Sequence, residues 1–551
     1  MAKLHFYQIS SLEKVFIDKK PETSDYQRAS ILKGEEFAYQ IVYYCDGFEE
    51  PGCNKLDIKL SLESPISEYI TVRKVVNVPS ELPAYEGLYD DNFIRTEPGL
   101  FPDLLEEISD GNLDASLRYH AIWIEIKTNK DIKAGTYPIT VTMTDEKNNI
   151  CENKTFYLEV INAVLPEQEL IFTQWFHADC IAKYYDIETF GEEHWVMLEK
   201  FIKTAAENGI NMILTPIFTP PLDTMVGGER PTVQLVDITK DGDNYTFGFE
   251  KLKRWVDLCH KCGMKYFEMA HLFTQWGAKF TPKIMAYENG ELKRIFGWDV
   301  EATSDKYKKF LEQFLPALIA FLKKEGIDKK TYFHISDEPT DEYQESYAAA
   351  KNVIGDMLND FVVFDALSDY EFYEKGLVKK PVPANDRIEP FLENKVPNLW
   401  TYYYCGPHAG VSNRFMSMPS YRNRILGIQM YKYDIVGFLH WGYNFYYSQF
   451  SKQLINPFIT TDALCAFPSG DAFSVYPGED GPIESLRLKV FKHALQDMQA
   501  LKLLENFITK DEIITLLDSQ TEITFKNYPQ SAEYILNLRE KVNAIIKRNV
   551  E

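Results

Sequence analysis

The sequence is short of several things, and each shortage closes off a class of protein. It holds only 8 cysteines in 551 residues, too thinly scattered for a disulfide framework and consistent with a reducing compartment. Cys259 and Cys262 form one Cys-x-x-Cys, "CHKC", with no second pair or spaced histidines behind it. Zinc-site spacing is therefore missing, and a helix ending before Gly263 accounts for the pair. Long apolar runs are also missing. The longest, "FLPALIAFL" at 314–322, is about half of what a bilayer span needs and contains a proline. The opening residues, "MAKLHFYQISSLEKVF", never reach an apolar core of signal-peptide length. A cytoplasmic location without stable membrane insertion is the expectation. Positive charge is scarce: 59 Lys and Arg stand against 82 Asp and Glu, a formal net charge of -23. With no basic cluster to offset it, nucleic acid is not an expected partner.

What the chain does have is apolar and aromatic residues arranged in two successive grammars. From the start to about residue 163 the pattern has period two: "EFAYQIVYYC", "KLDIKLSL", "ITVRKVVNV", "AIWIEIKT", "GTYPITVTMTDEKNN" and "KTFYLEVIN". Short alternating strands with turn residues between them predict a β-sandwich. The stretch 84–114, "AYEGLYDDNFIRTEPGLFPDLLEEISDGNLD", reads as an irregular insertion packed on another domain or lent to a cleft.

After about residue 164 strand and helix patterns alternate. Strands are predicted at 171–177, 211–217, 265–272, 331–336 and 361–367, with weaker ones at 381–384, 398–404 and 435–441. Between them run helical patterns such as Trp195, Leu198, Ile202 and Ala205, ending at Gly209. Eight such units predict a (β/α)8 TIM-like barrel. A last helix is expected at 482–505, and Ile535, Leu538, Val542 and Ile545 mark a helical extension docked on the barrel. The expected organisation is a β-sandwich domain over 1–164, a catalytic barrel over 165–505 and a C-terminal helical extension over 506–551.

In this count "TYFHIS" is the fourth strand, and Asp337 and Glu338 follow it directly in "HISDEP". That places them on the carboxyl-terminal rim, where barrel active sites are built. A helix cap explains Asp341 and Glu342 but not two acids ahead of Pro339. A rim Glu followed by Pro suits a glycosidase general acid. The ordinary retaining mechanism needs a second carboxylate about 5 Å across the scissile bond, often from the seventh strand. Here that strand is "NLWTYYYCGPH", and the eighth is "IVGFLHWGYNFYY"; neither carries an acid. The missing nucleophile points to a substrate whose own 2-acetamido carbonyl attacks the anomeric carbon. Asp337 would then orient the acetamide and stabilise the oxazolinium-like charge, while Glu338 would act as general acid and base.

Together with "PGLFPDLLE" at 98–106, "FLHWGYN" at 438–444 and "GDAFSVYPGEDGPIESLR" at 470–487, "HISDEP" resembles glycoside hydrolase family 123 over nearly the whole chain. The resemblance implies a retaining β-N-acetylgalactosaminidase acting on terminal β-linked N-acetylgalactosamine, as on glycosphingolipid glycans, with no cofactor or metal. It maps Asp337 to the acetamido-orienting carboxylate and Glu338 to the acid/base.

Further sugar-binding candidates come from other strand ends: Trp441 and Tyr443 as ring-bounding aromatics, Tyr404 as the rim member of "TYYY", and His271, Asn444 and His177 as polar contacts. Asp365 and Asp369 suit either sugar hydroxyls or helix caps. Three alternatives stay open. One is a β-N-acetylglucosaminidase of the same mechanism, and another a non-catalytic glycan-binding protein. The last is a conventional retaining enzyme drawing a nucleophile such as Asp471 from the 466–480 loop.

Overall fold

The computed structural model describes residues 2–21, 25–47, 55–108, 110–145, 147 and 150–551. The amino-terminal part is two five-stranded sheets. One has the order Lys3–Ser10, Glu36–Asp46, His120–Lys127, Ile70–Ser80, Gly99–Glu107; the other runs Arg28–Lys33, Ile150–Val164, Gly135–Asp145, Lys55–Glu63, Asn112–Ser116. Alternation decides which face each strand buries. In Lys55–Glu63, Leu56, Ile58 and Leu60 point inward while Lys55, Asp57 and Lys59 meet solvent. Ile41, Ile122 and Ile124 of one sheet share a core with Ile58, Val141 and Leu158 of the other.

The irregular insertion expected over 84–114 is corrected by the structure. Gly99–Glu107 pairs antiparallel with Ile70–Ser80, and Asn112–Ser116 with Lys55–Glu63. The prolines and acids that suggested a loop sit at edge positions of the two sheets, where a missing ladder donor costs little. Only the stretch before Gly99 is irregular, and Ser109 lies outside the described residues, as do residues 146, 148 and 149 of the strand expected at 135–149 and Cys53. The segment from Leu82 to Ile94 does lie on the second domain: Asp90 pairs with Arg422 at 2.9 Å, and the Tyr85 hydroxyl donates to the Ala466 carbonyl oxygen at 2.7 Å.

The second domain is built on eight parallel strands: β1 (Ile171–Gln174), β2 (Met212–Thr215), β3 (Tyr266–Met269), β4 (Thr331–Phe333), β5 (Val362–Ala366), β6 (Lys380–Val382), β7 (Trp400–Tyr402) and β8 (Gly437–His440). They follow one another in the order β6, β5, β4, β3, β2, β1, β8, β7. The ring closes between β6 and β7 through one bridge, Ala384 with Tyr402. Each strand is followed by at least one helix. These strands read as continuous apolar runs because both faces are buried, one against the helices and one inside the barrel. Inside, Trp400, Phe364, Tyr332, Leu214 and Leu439 share one cluster.

Two hairpins, Asp237–Asp241 with Asn244–Gly248 and Ile284–Glu288 with Glu291–Phe296, form a four-stranded sheet between β2 and the helix Asp305–Lys324. The sequence reading missed them, although Gly242-Asp243 and Asn289-Gly290 are turn pairs that mark tight two-residue hairpins; Gly242, Asn289 and Gly290 have φ of 58°, 55° and 83°. Cys259 and Cys262 close the helix Glu250–Cys262, with Gly263 left-handed at φ 100°. The last barrel helix is Leu486–Leu504; residues 481–484 of its expected span pair instead with Val475–Gly478. The terminal helix Ala532–Val550 is wedged between both domains, its Ile535, Leu538 and Val542 sharing a core with Leu32 and Ile161 of the sandwich and Ile428 and Leu501 of the barrel.

Buried charge joins the two domains. Arg487 grips Asp103 with Nε and Nη2, both at 2.8 Å, and the Tyr476 hydroxyl donates to the same carboxylate at 2.5 Å. Beside it Lys489 lies 2.7 Å from Glu36 and 3.1 Å from Glu125, while Arg73 bridges Glu125 and Glu484. Removing one partner of such a set strands the other without water. Asp103→Ala is expected to destabilise the protein by about 3–5 kcal/mol, read as a lowered denaturant midpoint, while breaking an exposed pair such as Arg254–Glu192 should leave the midpoint nearly unchanged.

No helix among the described residues is long and apolar enough to cross a membrane.

Candidate active site

The carboxyl-terminal rim is deepest around the end of β4. The chain leaves this strand without turning away at once, because the loop after β3 runs beside it: Leu272 and Phe273 amides donate to the carbonyls of His334 and Ile335, at 3.3 and 3.1 Å. The Trp276 amide donates to the Asp337 carbonyl at 3.2 Å, and the Glu338 amide donates to Ala366 at the end of β5, at 3.1 Å. This double anchoring holds Glu338 at a positive φ of 43°, a conformation that is costly for a side chain with a Cβ. Asp223, Trp276 and Phe450 are strained in the same sense, with φ of 39°, 57° and 61°. All four line one cavity of ≈ 160 Å³, together with Trp175, His177, Gln275, Asp337, Tyr402, Tyr404 and Trp441. Four such residues meeting in one cavity wall fit a site whose geometry is held by its surroundings.

Asp337 and Glu338 are half-buried and open to the cavity. Burial and then the Glu338 charge push the Asp337 carboxyl well up, and burial pushes Glu338 up against the opposing Tyr402 hydrogen bond. Two neighbouring carboxyls that both resist ionisation give up their protons in two steps and hold one proton between them in the interval. The Tyr402 hydroxyl donates to Glu338 Oε1 at 2.8 Å, leaving Oε2 as the oxygen for a mobile proton. Glu338, Trp276, Tyr402 and Tyr404 also border a much larger open groove of ≈ 1230 Å³. Glu338 therefore stands where the smaller chamber meets the groove.

Trp441 lines the chamber, its Nε1 donating to Asp471 Oδ2 at 2.8 Å. Gly442 follows it because a Cβ there would lie 2.3 Å from the Ala472 carbonyl oxygen. Tyr404 stacks on Tyr402 with ring centroids 5.3 Å apart, whereas Tyr403 points outward and donates to Asn423; alternate residues share a face. His177 is in the wall with both nitrogens committed. Arg230 can only donate, so Nδ1 at 3.1 Å accepts, and the ring proton on Nε2 goes to the Trp441 carbonyl at 2.9 Å. Burial and the Arg230 charge hold its pKa down to about 3, so the ring meets a ligand as a neutral surface.

Three expected sugar contacts stand outside the chamber. Tyr443 is fully buried, stacked on Phe176, with its hydroxyl on the Phe201 carbonyl. Alternation along an extended strand would put Tyr443, two residues after Trp441, on the same face; the chain has left β8 by this point, and the bends at Trp441 and Tyr443 turn the ring away. Asn444 uses its amide on the His177 backbone, accepting at 2.9 Å and donating at 3.1 Å. His271 is buried behind the wall, stacked on His334. Asp369 caps the helix Tyr370–Glu374, and Asp365 is buried under the site.

Sequence reasoning did not single out Trp175, Asp223, Gln275, Gln449, Phe450 or Phe467 for the wall. Asp223 lies in the loop after β2, Oδ2 accepting from the Phe450 amide at 2.9 Å, and burial pushes its pKa up to about 6. Asp223, Trp276 and Phe450 come from three loops far apart in sequence. The only local signal was position after a barrel strand, which Asp223 and Trp276 share.

A family model described as glycoside hydrolase 123, catalytic domain, matches residues 175–504. Among solved structures, a family 123 glycoside hydrolase from Clostridium perfringens, described for glycolipid glycan hydrolysis, aligns over 100% of this chain and 97% of its own, with TM-score 0.73 and 16% identity. A β-glucuronidase from Parabacteroides merdae has TM-score 0.31 at 11% identity over 89% of this chain and 51% of its own. Likeness at that level carries no argument. No curated protein matches the chain. The family model takes in the barrel from just after β1 to the last barrel helix, Asp337 and Glu338 included, and this chain belongs to glycoside hydrolase family 123.

Proposed function

We propose that the protein releases terminal β-linked N-acetylgalactosamine from glycans such as those of glycolipids, with retention of configuration, by participation of the sugar's 2-acetamido group. The observation that carries this reading is the pairing at the rim. Two carboxyls stand side by side after β4, while β7, the usual source of a second carboxylate, offers Tyr402 with its hydroxyl on Glu338. Asp471, the rival nucleophile, is fully buried on Trp441 Nε1 and does not line the chamber.

The terminal sugar occupies the smaller chamber and the rest of the glycan lies in the groove, so the scissile oxygen falls beside Glu338 at their border. Asp337, ionised, accepts the acetamide N–H and turns the carbonyl oxygen toward C1. Glu338 protonates the leaving oxygen as the C1–O bond breaks and the ring closes to an oxazolinium. Glu338, now ionised, takes a proton from water as it reopens the ring at C1. Asp223 and Gln275, whose buried amide oxygen has no partner among the described residues, face the sugar as hydroxyl ligands.

The test is a set of nitrophenyl glycosides with an NMR record of the first anomer formed. The galacto 2-acetamido sugar should be cleaved to the β-anomer, its gluco epimer more slowly, and the 2-hydroxy galactoside not measurably. Inversion, or equal turnover of the 2-hydroxy sugar, would reject the mechanism; a gluco preference would reassign the substrate. Tyr402→Phe should slow turnover by about tenfold. Because the lost bond favours ionised Glu338, the alkaline limb of kcat/KM should move to higher pH.

A further inference from the structure

Beneath Asp337 lies a buried charge cluster that the reaction as described leaves unused. His334 is fully buried, with Nε2 at 2.5 Å from Glu268 Oε1 and Nδ1 at 3.2 Å from Asp365 Oδ1. Glu268 also accepts from Trp175 Nε1 at 2.6 Å and Thr173 Oγ1 at 2.8 Å. Asp365 accepts from the Ile335 amide at 3.1 Å and the Tyr347 hydroxyl at 2.5 Å. Every carboxylate oxygen of the two thus already faces a donor. A neutral imidazole has a single N–H and would aim its lone pair at one of these oxygens. The arrangement is satisfied when the ring carries both protons.

The faces of the ring are covered by His271 at 4.1 Å and Phe364 at 4.2 Å between centroids. His271 is held neutral, its pKa driven well down by burial and by the neighbouring His334 charge. Burial opposes the charge on His334 itself, but the bonds to Asp365 and Glu268 outweigh it and push the ring up to about 9. Atoms of His271, His334 and Asp365 lie within 4.8 Å of one another. Their stacked rings, 15° apart in plane, aim in-plane lone pairs along parallel directions, so they do not converge on one ion.

We infer that His334 is a positioning residue for the proposed reaction: a cation wedged between Glu268 and Asp365, it offsets their charge behind Asp337 and favours the arrangement with Asp337 ionised and the proton on Glu338. This inference rests on the substrate-assisted reading. The charged groups facing Asp337 are Glu338, His334, Asp365 and Glu268. With the ring charged, the lower three sum to one negative charge; without it, to two, and the proton moves to Asp337. The acetamide then loses its acceptor and the leaving oxygen its acid.

The experiment uses full-length His334→Gln beside the unmutated protein. The acid limb of kcat/KM, which reports ionisation of Asp337, should move up by about one pH unit or more. Inhibition by the galacto-configured thiazoline should weaken about tenfold at pH 6 and recover as pH rises. A purely structural role would lower activity by the same factor at every pH, and that result overturns the inference. Should His334→Gln fail to fold, ¹⁵N-histidine NMR of the unmutated protein decides: one ring must keep both N–H groups at pH 8, and its absence overturns the inference. If the unmutated protein binds no thiazoline, the substrate-assisted reading falls instead, while the NMR still reports the charge on the ring.

Discussion

Glu338→Gln is expected to fold normally and to lose about 10³-fold or more in kcat/KM on a natural glycan. The loss should be much smaller on a nitrophenyl glycoside, whose leaving group departs without a proton. This split separates an acid from a residue that merely shapes the site. Burial raises the Glu338 pKa, so the acid form is present below that raised value and is lost as pH climbs through it. The alkaline limb of the wild-type profile should therefore vanish in the variant. If both substrates lose activity equally, Glu338 is not the proton donor.

Asp337→Ala carries the second large effect, about 10²–10³-fold in kcat, with a different signature. Asp337 acts on the attacking acetamide rather than on the departing oxygen. Natural and nitrophenyl substrates should thus suffer alike, and thiazoline affinity should fall with kcat, while the affinity for free N-acetylgalactosamine changes little. Retained thiazoline binding would remove Asp337 from the acetamide. Reading the two variants together matters because the carboxyls share a proton, so their effects will not add.

Much of this site was legible before any coordinates. Eight strands were visible because barrel strands are buried on both faces and so appear as uninterrupted apolar runs, and "HISDEP" announced its place by following the fourth. The wall was less legible. Trp441, Tyr404 and His177 were within reach because they end strands, but whether a rim side chain points into the chamber depends on loop backbone. Tyr443, two residues after Trp441, would share its face on an extended strand, and the bends that follow β8 reverse the answer. His271 and Asp365 looked like ligands because a polar residue at a strand end has two readings: contact with substrate, or support for a neighbour that makes it. Only the partners distinguish them, and His334 lies 66 and 31 residues away from those it binds. The strands at Gly99–Glu107 and Asn112–Ser116 were hidden because prolines and acids, the usual marks of a loop, are tolerated at sheet margins.

The ionic seam between the domains also governs when the molecule can be finished. Asp103, Glu36 and Glu125 are made early in synthesis, whereas Arg487 and Lys489 emerge near its end, and Glu35 waits still longer for Arg539. Until those cations leave the ribosome, the first domain must keep an acidic flank hydrated that in the finished enzyme sees no water. Final docking is thus postponed to the last stretch of translation, and a chain cut short before Arg487 would display that flank as a mark of its incompleteness.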